Sequence, residues 1–251
     1  MSEPLHLDEV SISLPERLLI PPLSVRVMPG EVVTLMGPSG AGKSTLLSFL
    51  CGTLSDGFRA TGRVWIGGSE VSALPAERRR IGVLFQDDLL FPHLTVGENL
   101  AFGLSSAVRG RAARAARIAA ALEEAGLAGF APRDPATLSG GQRARVAVLR
   151  LLLAEPRALL LDEPFNKLDA AMRADFRRFV FEHAAGAGLP VLMVTHDAAD
   201  AVAARGRVLT LSQAPDGSAR IESADGALSV AHGTERKPEH EGGALVANRR
   251  S

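Results

Sequence analysis

Residues 37–45 read Gly-Pro-Ser-Gly-Ala-Gly-Lys-Ser-Thr. Three glycines so closely spaced cannot sit inside a strand or a helix, so this run is a loop. Just upstream, Val32 to Met36 is a short, mostly apolar run that reads as a buried strand. Just downstream, Ser44 to Cys51 reads as a helix closed by Gly52. Strand, glycine loop and helix in that order commit the chain to an α/β layer architecture. They also commit the loop to a chemistry. Gly37, Gly40 and Gly42 let the backbone wrap closely with its N–H groups turned inward, and the following helix adds its positive end. Lys43 supplies a point charge for the β and γ phosphates of a nucleotide, and the Ser44 hydroxyl is placed to hold Mg²⁺. The pattern Gly37, Pro38, Ser39, Gly40, Ala41, Gly42, Lys43, Ser44, Thr45 is therefore read as an ATP-binding loop.

The rest of the chain alternates in the same manner. Residues 5 to 35 switch between apolar and polar in short stretches punctuated by Pro15, Pro21, Pro22 and Pro29-Gly30, which predicts antiparallel strands and turns. Further strands are expected at Arg63 to Ile66, Ile81 to Phe85, Leu159 to Leu161 and Val191 to Thr195. Helices are expected at Thr95 to Leu104, Arg109 to Ala125, Ser139 to Leu153, Ala170 to Ala184 and Asp197 to Ala204. Val208 to Leu211 and Ala219 to Glu222 can pair as a terminal hairpin. The basic helix from Arg109 carries four arginines without interleaved aromatics, and is read as a solvated face. Strands alternating with helices make a predominantly parallel sheet.

Two more segments carry chemistry. Leu160-Leu161-Asp162-Glu163-Pro164 is a buried strand that ends in two acids. Beside a phosphate loop, Asp162 is placed to support Mg²⁺ and its waters, and Glu163 to polarise a water for attack on the γ phosphate. Leu138-Ser139-Gly140-Gly141-Gln142 begins a helix with a serine and two glycines, a second anion-binding end in a chain that already has one. Two such ends suggest that two chains meet head to tail around shared nucleotides.

In this order, over roughly residues 5 to 212, the motifs resemble those of the ATP-binding cassette (ABC) ATPases. The resemblance implies a P-loop NTPase core with a predominantly parallel sheet, an N-terminal antiparallel β subdomain and an inserted α-helical subdomain at about 87–155. The ATPase domain would span 5–222. It also implies roles by position. Gln86 resembles the glutamine that senses Mg²⁺ and the attacking water beside the contact with a membrane subunit. Asp169 resembles the aspartate that lies across the dimer interface, where Ser139, Gly140, Gly141 and Gln142 of one copy meet the nucleotide of the other. His196 resembles the switch histidine at the γ phosphate. The expected catalytic set is thus Glu163, His196 and Gln86, and the expected Mg²⁺ set is Ser44, Gln86 and Asp162. Two positions depart from the family pattern. Leu14 stands where an aromatic residue usually stacks on adenine, in a chain with no tyrosine, and Asn166-Lys167-Leu168-Asp169 replaces the usual Ser-x-Leu-Asp.

Residues 89 to 104 (Leu-Leu-Phe-Pro-His-Leu-Thr-Val-Gly-Glu-Asn-Leu-Ala-Phe-Gly-Leu) resemble importer ATPases of binding-protein-dependent uptake systems. The resemblance implies permease subunits as partners, a periplasmic solute-binding protein acting through the permease, and a place on the cytoplasmic face of the inner membrane. The alternatives are an exporter ATPase and a soluble assembly system. Repair-type members would need a long inserted coiled coil and ribosome-associated members a second cassette, and neither is present in this sequence.

Composition narrows the field. The 28 basic and 28 acidic side chains cancel, so nucleic acid is not expected as a partner. One cysteine, Cys51, excludes an internal disulfide and is expected as a small core residue; with an acidic start that lacks an apolar run it points to the cytosol. No apolar run approaches the ~20 residues that span a bilayer. The chain ends sooner than importer ATPases with a long regulatory domain, and residues 223–251 are expected to be a disordered tail by composition.

Overall fold

A computed structural model describes residues 3–87, 89–213 and 218–223. The chain begins with β1 (Leu5–Leu14), β2 (Arg17–Val27) and β3 (Val32–Met36), then α1 (Lys43–Cys51). It continues with β4 (Arg59–Ile66), the two-residue β5 (Ser69–Glu70), the single-turn α2 (Ala76–Arg79) and β6 (Ile81–Leu84). Next come α3 (Val96–Gly103), α4 (Arg111–Glu124), a 3₁₀ turn at Pro135–Thr137, and α5 (Gly140–Leu153). The last elements are β7 (Ala158–Asp162), α6 (Ala170–Gly186), β8 (Val191–Thr195), α7 (Ala198–Ala204), β9 (Arg207–Gln213) and β10 (Ala219–Ser223).

Two sheets result. The first is antiparallel, in the order β2-β1-β4-β5. β2 tolerates Pro21-Pro22 in mid-strand because an edge strand leaves one row of N–H groups unpaired and because its register with β1 shifts there, between the pairs Ile20–Ile12 and Leu23–Val10. The second sheet has the order β10-β9-β3-β8-β7-β6. Its five strands from β9 to β6 run parallel, and β10 adds an antiparallel edge. The predominantly parallel sheet and the separate N-terminal antiparallel sheet expected from the sequence are both present.

The three central parallel strands, β3, β8 and β7, are buried on both faces, as near-continuous apolar runs require. Successive residues feed two cores. Leu160, Leu192 and Val194 pack with Val33, Leu35 and α1 under the antiparallel sheet. Leu159, Leu161, Val191 and Met193 face the other way, onto α5 and α6. The helices α3, α4 and α5 occupy the crossover between the adjacent strands β6 and β7.

Most expected elements lie within a few residues of their anticipated ends. The Val32–Met36 and Val191–Thr195 strands agree end to end, and Thr95 and Ser139 cap α3 and α5 with full capping boxes. β4 starts at Arg59, four residues before the apolar pattern begins, because pairing with Ile12 and Ser13 of β1 extends it through polar positions. β5 and α2 are too short to leave a periodic trace. Cys51 is half-buried at the rim of a core, rather than enclosed within it. Of the tail expected from residue 223, only Ser223, the end of β10, falls within the described residues.

Candidate nucleotide-binding site

Parallel strands point their carboxyl ends the same way, and ligands of open α/β sheets bind beyond those ends. Here four neighbouring strands, β3, β8, β7 and β6, deliver the glycine loop, His196, the Asp162–Glu163 pair and Gln86 to one edge. Between them lies a cleft of about 510 Å³ lined by Ser39, Gly40, Gly42, Lys43, Ser44 and Thr45, by Gln86, Asp162 and Glu163, and by Leu14, Arg17, Leu19 and Phe58.

The loop's geometry follows from its glycines. Gly40 and Gly42 sit at φ of 76° and 97°, in the left-handed region where a side chain would be strained. Gly42 is also the N-cap of α1 and brings no side chain to cap it, so the positive end of α1 opens into the cleft. Lys43 is 5% exposed. Its Nζ donates to the carbonyls of Gly37 (2.8 Å) and Pro38 (2.9 Å) and lies 3.9 Å from Glu163 Oε1. Burial pulls its pKa below the ordinary lysine value, against the opposing pull of the Glu163 and Asp162 carboxylates. Pro38 and Ala41 hold the loop to itself through the Ala41 N–H to Pro38 carbonyl bond of 3.3 Å.

Asp162 and Ser44 face each other, with Ser44 Oγ donating to Asp162 Oδ1 at 2.9 Å. Burial raises the Asp162 pKa; the Ser44 hydrogen bond and Lys43 oppose the rise, and the charge of Glu163 adds to it. A cation between the two would remove that penalty. The donors present, one hydroxyl and one carboxylate, are hard oxygens and suit Mg²⁺, which takes one or two carboxylates and completes its shell with phosphates and water. Among the described residues there is no cluster of three or more His, Cys, Asp or Glu side chains that could hold a metal ion.

Glu163 has φ of 47°, uncommon for a residue with a side chain. Its N–H is tied to the Val194 carbonyl at 3.0 Å, and the turn brings its carboxylate back to Lys43 and His196. His196 Nδ1 lies 3.1 Å from Glu163 Oε1, and the Asn166 amide donates to Glu163 Oε2. The turn beneath His196 is braced from below. Fully buried Asp200 accepts from Arg177 Nε (2.6 Å) and Thr195 Oγ1 (3.0 Å); Arg173 Nη1 donates to Asp197 Oδ2 at 2.9 Å. Asn166 and this network are contributors that sequence reading did not find. The sequence shows Asn166 only as a departure from the usual Ser-x-Leu-Asp, and the local turn after Glu163 puts it on that carboxylate; the Arg173, Arg177, Asp197 and Asp200 network carries no motif, and the crossing of α6 over α7 brings it together.

The helix start at Ser139, expected from the sequence as a second anion end, lies apart. Ser139 Oγ accepts from the Gln142 N–H at 3.3 Å, and Gln142 Oε1 accepts from the Ser139 N–H at 3.0 Å. Ser139, Gly141 and Gln142 line a separate hollow of about 260 Å³ with Met172 and Arg145, and Gly140 opens the helix between them. Asp169 caps α6 by accepting from the Met172 N–H at 2.9 Å. Within one chain, the loop, Gln86, Asp162, Glu163 and His196 are brought together; Ser139 to Gln142 and Asp169 are not part of that cleft.

This architecture, a phosphate loop and acidic strand end at the carboxyl edge of a mostly parallel sheet beside an antiparallel sheet, is that of a P-loop ATPase of the ATP-binding cassette class. Residues 20–166 match the ABC transporter family, and the chain belongs to it. It is 50% identical to the ABC transporter ATP-binding protein YnjD of Escherichia coli (strain K12) over 204 residues, 81% of this chain and 93% of that protein. It is 49% identical over 172 residues to the thiamine import ATP-binding protein ThiQ of Cereibacter sphaeroides, 68% of this chain and 73% of that one. Against the Fe(3+) ions import ATP-binding protein FbpC of Rhizobium etli the identity is 43% over 192 residues, 76% of this chain. The chain covers 54%, about half, of that longer relative. No helix among the described residues is long and apolar enough to cross a membrane.

Proposed function

We propose that this chain is the ATP-hydrolysing subunit of a binding-protein-dependent importer of a small solute, working as a pair of copies that close on two ATP molecules. In this reading residues 5–222 form the ATPase unit, with residues 87–155 as its helical subdomain. The observation that carries it is the separation of the two anion ends. The Lys43 loop and the Ser139 helix start belong to different hollows of one chain, so one triphosphate can meet both only when a second copy supplies the second. ATP then touches both halves only in the closed pair, and by that differential contact draws the population toward closure.

The residues divide the work. Lys43 exchanges its contacts with Gly37 and Pro38 for the β and γ phosphates, and the loop N–H groups with the end of α1 hold the remaining oxygens. Ser44, Asp162 and Gln86 would hold Mg²⁺, which supplies charge neutralisation on the phosphates. Glu163 accepts a proton from the water that attacks the γ phosphorus as the bond to the β–γ bridging oxygen breaks, releasing ADP and phosphate. His196, close to Glu163 and braced through Thr195 and Asp197, contacts the γ phosphate. Asp169 and Ser139 to Gln142 act on the partner copy's nucleotide.

The link to a permease is supported by an exposed apolar patch that begins at Phe85, the residue before Gln86. Phe85, Leu89 and Phe102 are 45%, 56% and 72% exposed and rim a groove of about 420 Å³ floored by Leu84 and Ala147. The import direction is supported by relatives whose names are those of import ATP-binding proteins. This reading places the chain on the cytoplasmic face of the inner membrane through its permease, with the periplasmic binding protein as an indirect partner.

The test is Glu163→Gln. The variant is expected to keep ATP binding, lose turnover and accumulate an ATP-dependent dimer on gel filtration, and Ser139→Ala in the same background to abolish that dimer. Turnover by Glu163→Gln at the parent rate would overturn the role of Glu163. A dimer indifferent to Ser139 would overturn the shared site.

A further inference from the structure

We propose that Phe58, in the turn ahead of β4, supplies the ring on which the nucleotide base rests, and that this end of the cleft takes purines with little preference between adenine and guanine. The inference deepens the nucleotide reading above and rests on it.

The cleft has two chemically different ends. One is the phosphate cradle. The other is walled by Leu14, Arg17, Leu19 and Phe58, and Phe58 is the one aromatic residue among all the lining side chains. These residues come from three strand ends that the register brings together. Leu14 pairs with Arg17 across the β1–β2 hairpin, and Ser13 pairs with Arg59 on β4. The next residues along β1 and ahead of β4, Leu14 and Phe58, are therefore neighbours at the same end of the antiparallel sheet. That end is seated on the glycine loop itself: a Cβ built on Gly42 would lie 3.0 Å from Leu19 Cβ. The hydrophobic wall thus begins where the phosphate cradle stops, at the distance of adjoining groups.

Phe58 is half-buried and packs against the core beneath the antiparallel sheet while also facing the cleft. A ring held by the core on one side loses little freedom when a base settles on it. Leu14 offers apolar contact without a π face, so stacking falls to Phe58. Selectivity follows from what the wall lacks. Leu14, Leu19 and Phe58 form no hydrogen bonds through their side chains, and Arg17 only donates. No side chain there can accept from the exocyclic amine of either purine, and Arg17 can donate as readily to a ring nitrogen of adenine as to the guanine carbonyl. Discrimination by hydrogen bonding needs a polar group that the wrong base leaves unpaired, and this wall provides none against guanine.

The test measures binding of ATP, GTP and inorganic tripolyphosphate, each with Mg²⁺, to the full chain by calorimetry, with thermal melting to verify folding of each variant. ATP and GTP are expected to bind the parent within about tenfold of each other, since apolar contact and stacking separate them weakly. Phe58→Ala and Phe58→Leu are each expected to weaken both nucleotides by about tenfold, in line with the loss of one base–aromatic stack. Tripolyphosphate is expected to bind unchanged, and Phe58→Trp to retain nucleotide affinity. Parent-like ATP affinity in Phe58→Leu, or a parallel loss for tripolyphosphate, would overturn the role of Phe58. A preference for ATP over GTP well beyond tenfold would overturn the selectivity. Failure of the parent to bind either ATP or tripolyphosphate is a different result, and would instead sink the nucleotide site itself.

Discussion

Arg79 offers the sharpest stability test because its surroundings are so fully specified. It is 5% exposed, and its guanidinium donates to four backbone carbonyls: Leu74 (2.8 Å), Phe49 (2.7 Å), Leu50 (2.8 Å) and Ser72 (2.6 Å). Phe49 and Leu50 belong to the last turn of α1, so Arg79 satisfies the Leu50 carbonyl, adds a second donor to the Phe49 carbonyl that the Gly52 N–H already meets, and complements the negative end of the helix. Burial lowers its pKa, yet a guanidinium stays charged throughout the accessible pH range. In Arg79→Met the stem remains and the donors go. The Leu50 bond is fully buried, and an orphaned buried acceptor costs about 1–3 kcal/mol. The other three bonds are partly buried and their carbonyls can recruit water, at a net loss of about 1 kcal/mol each. Allowing for overlap, the loss is about 3–5 kcal/mol, measured by urea unfolding with an unchanged slope, and about 10 °C in Tm for a chain of this size. A second substitution probes the same device. A Cβ on Gly52 would lie 2.7 Å from Arg79 Nε, and Gly52 sits at φ of 83°. Gly52→Ala is therefore expected to cost more in the parent, where four hydrogen bonds pin the guanidinium, than in Arg79→Met, whose flexible terminal methyl can swing away and leave mainly the backbone penalty of about 1–2 kcal/mol. A loss under about 1 kcal/mol in Arg79→Met, or strict additivity of the pair, would refute the reasoning.

Other outcomes follow from the charged groups. Asp162 has its folded pKa raised, so its ionised form disfavours folding; the penalty sets in as pH rises past its ordinary value near 3.8 and is complete above the folded value. Asp162→Asn is expected to melt higher than the parent at pH 7 without Mg²⁺, the two converging at low pH, while losing Mg²⁺-dependent turnover; a lower melting temperature at pH 7 would contradict this. Glu31 runs the other way. Although burial acts to raise its pKa, Arg207 Nε at 2.6 Å and the Met28 N–H at 2.7 Å hold it below 4.5 on balance. Its contribution is present above pH 4.5 and lost as pH falls through the folded value. Glu31→Gln is expected to cost about 1 kcal/mol or less at pH 7, since Arg207 is partly exposed, with the difference vanishing in acid; pH-independent destabilisation would refute the assignment.

Much of the α/β architecture was legible in the sequence because its signals are local. The Val32–Met36 strand, the glycine loop and the helix after it are set by residues that touch one another along the chain, and so are the caps at Thr95 and Ser139. Residue type and spacing suffice for such features, since a left-handed turn demands glycine and a helix start demands a side-chain acceptor. The identities of Lys43, Ser44, Asp162 and Glu163 were legible on the same terms, once a phosphate loop was in view.

What lay beyond the sequence was how elements distant in the chain come together. The order β3-β8-β7-β6 is what gathers four loops onto one edge, and no local pattern encodes strand order. The register that sets Phe58 beside Leu14, and the crossing of α6 over α7 that puts Arg177 on Asp200, join residues far apart in the chain. Neither carries a motif, because their partners are chosen by packing of the whole core rather than by neighbours in sequence. The composition of the loop decided that a triphosphate can be held; only the three-dimensional arrangement decided which side chains face its other end.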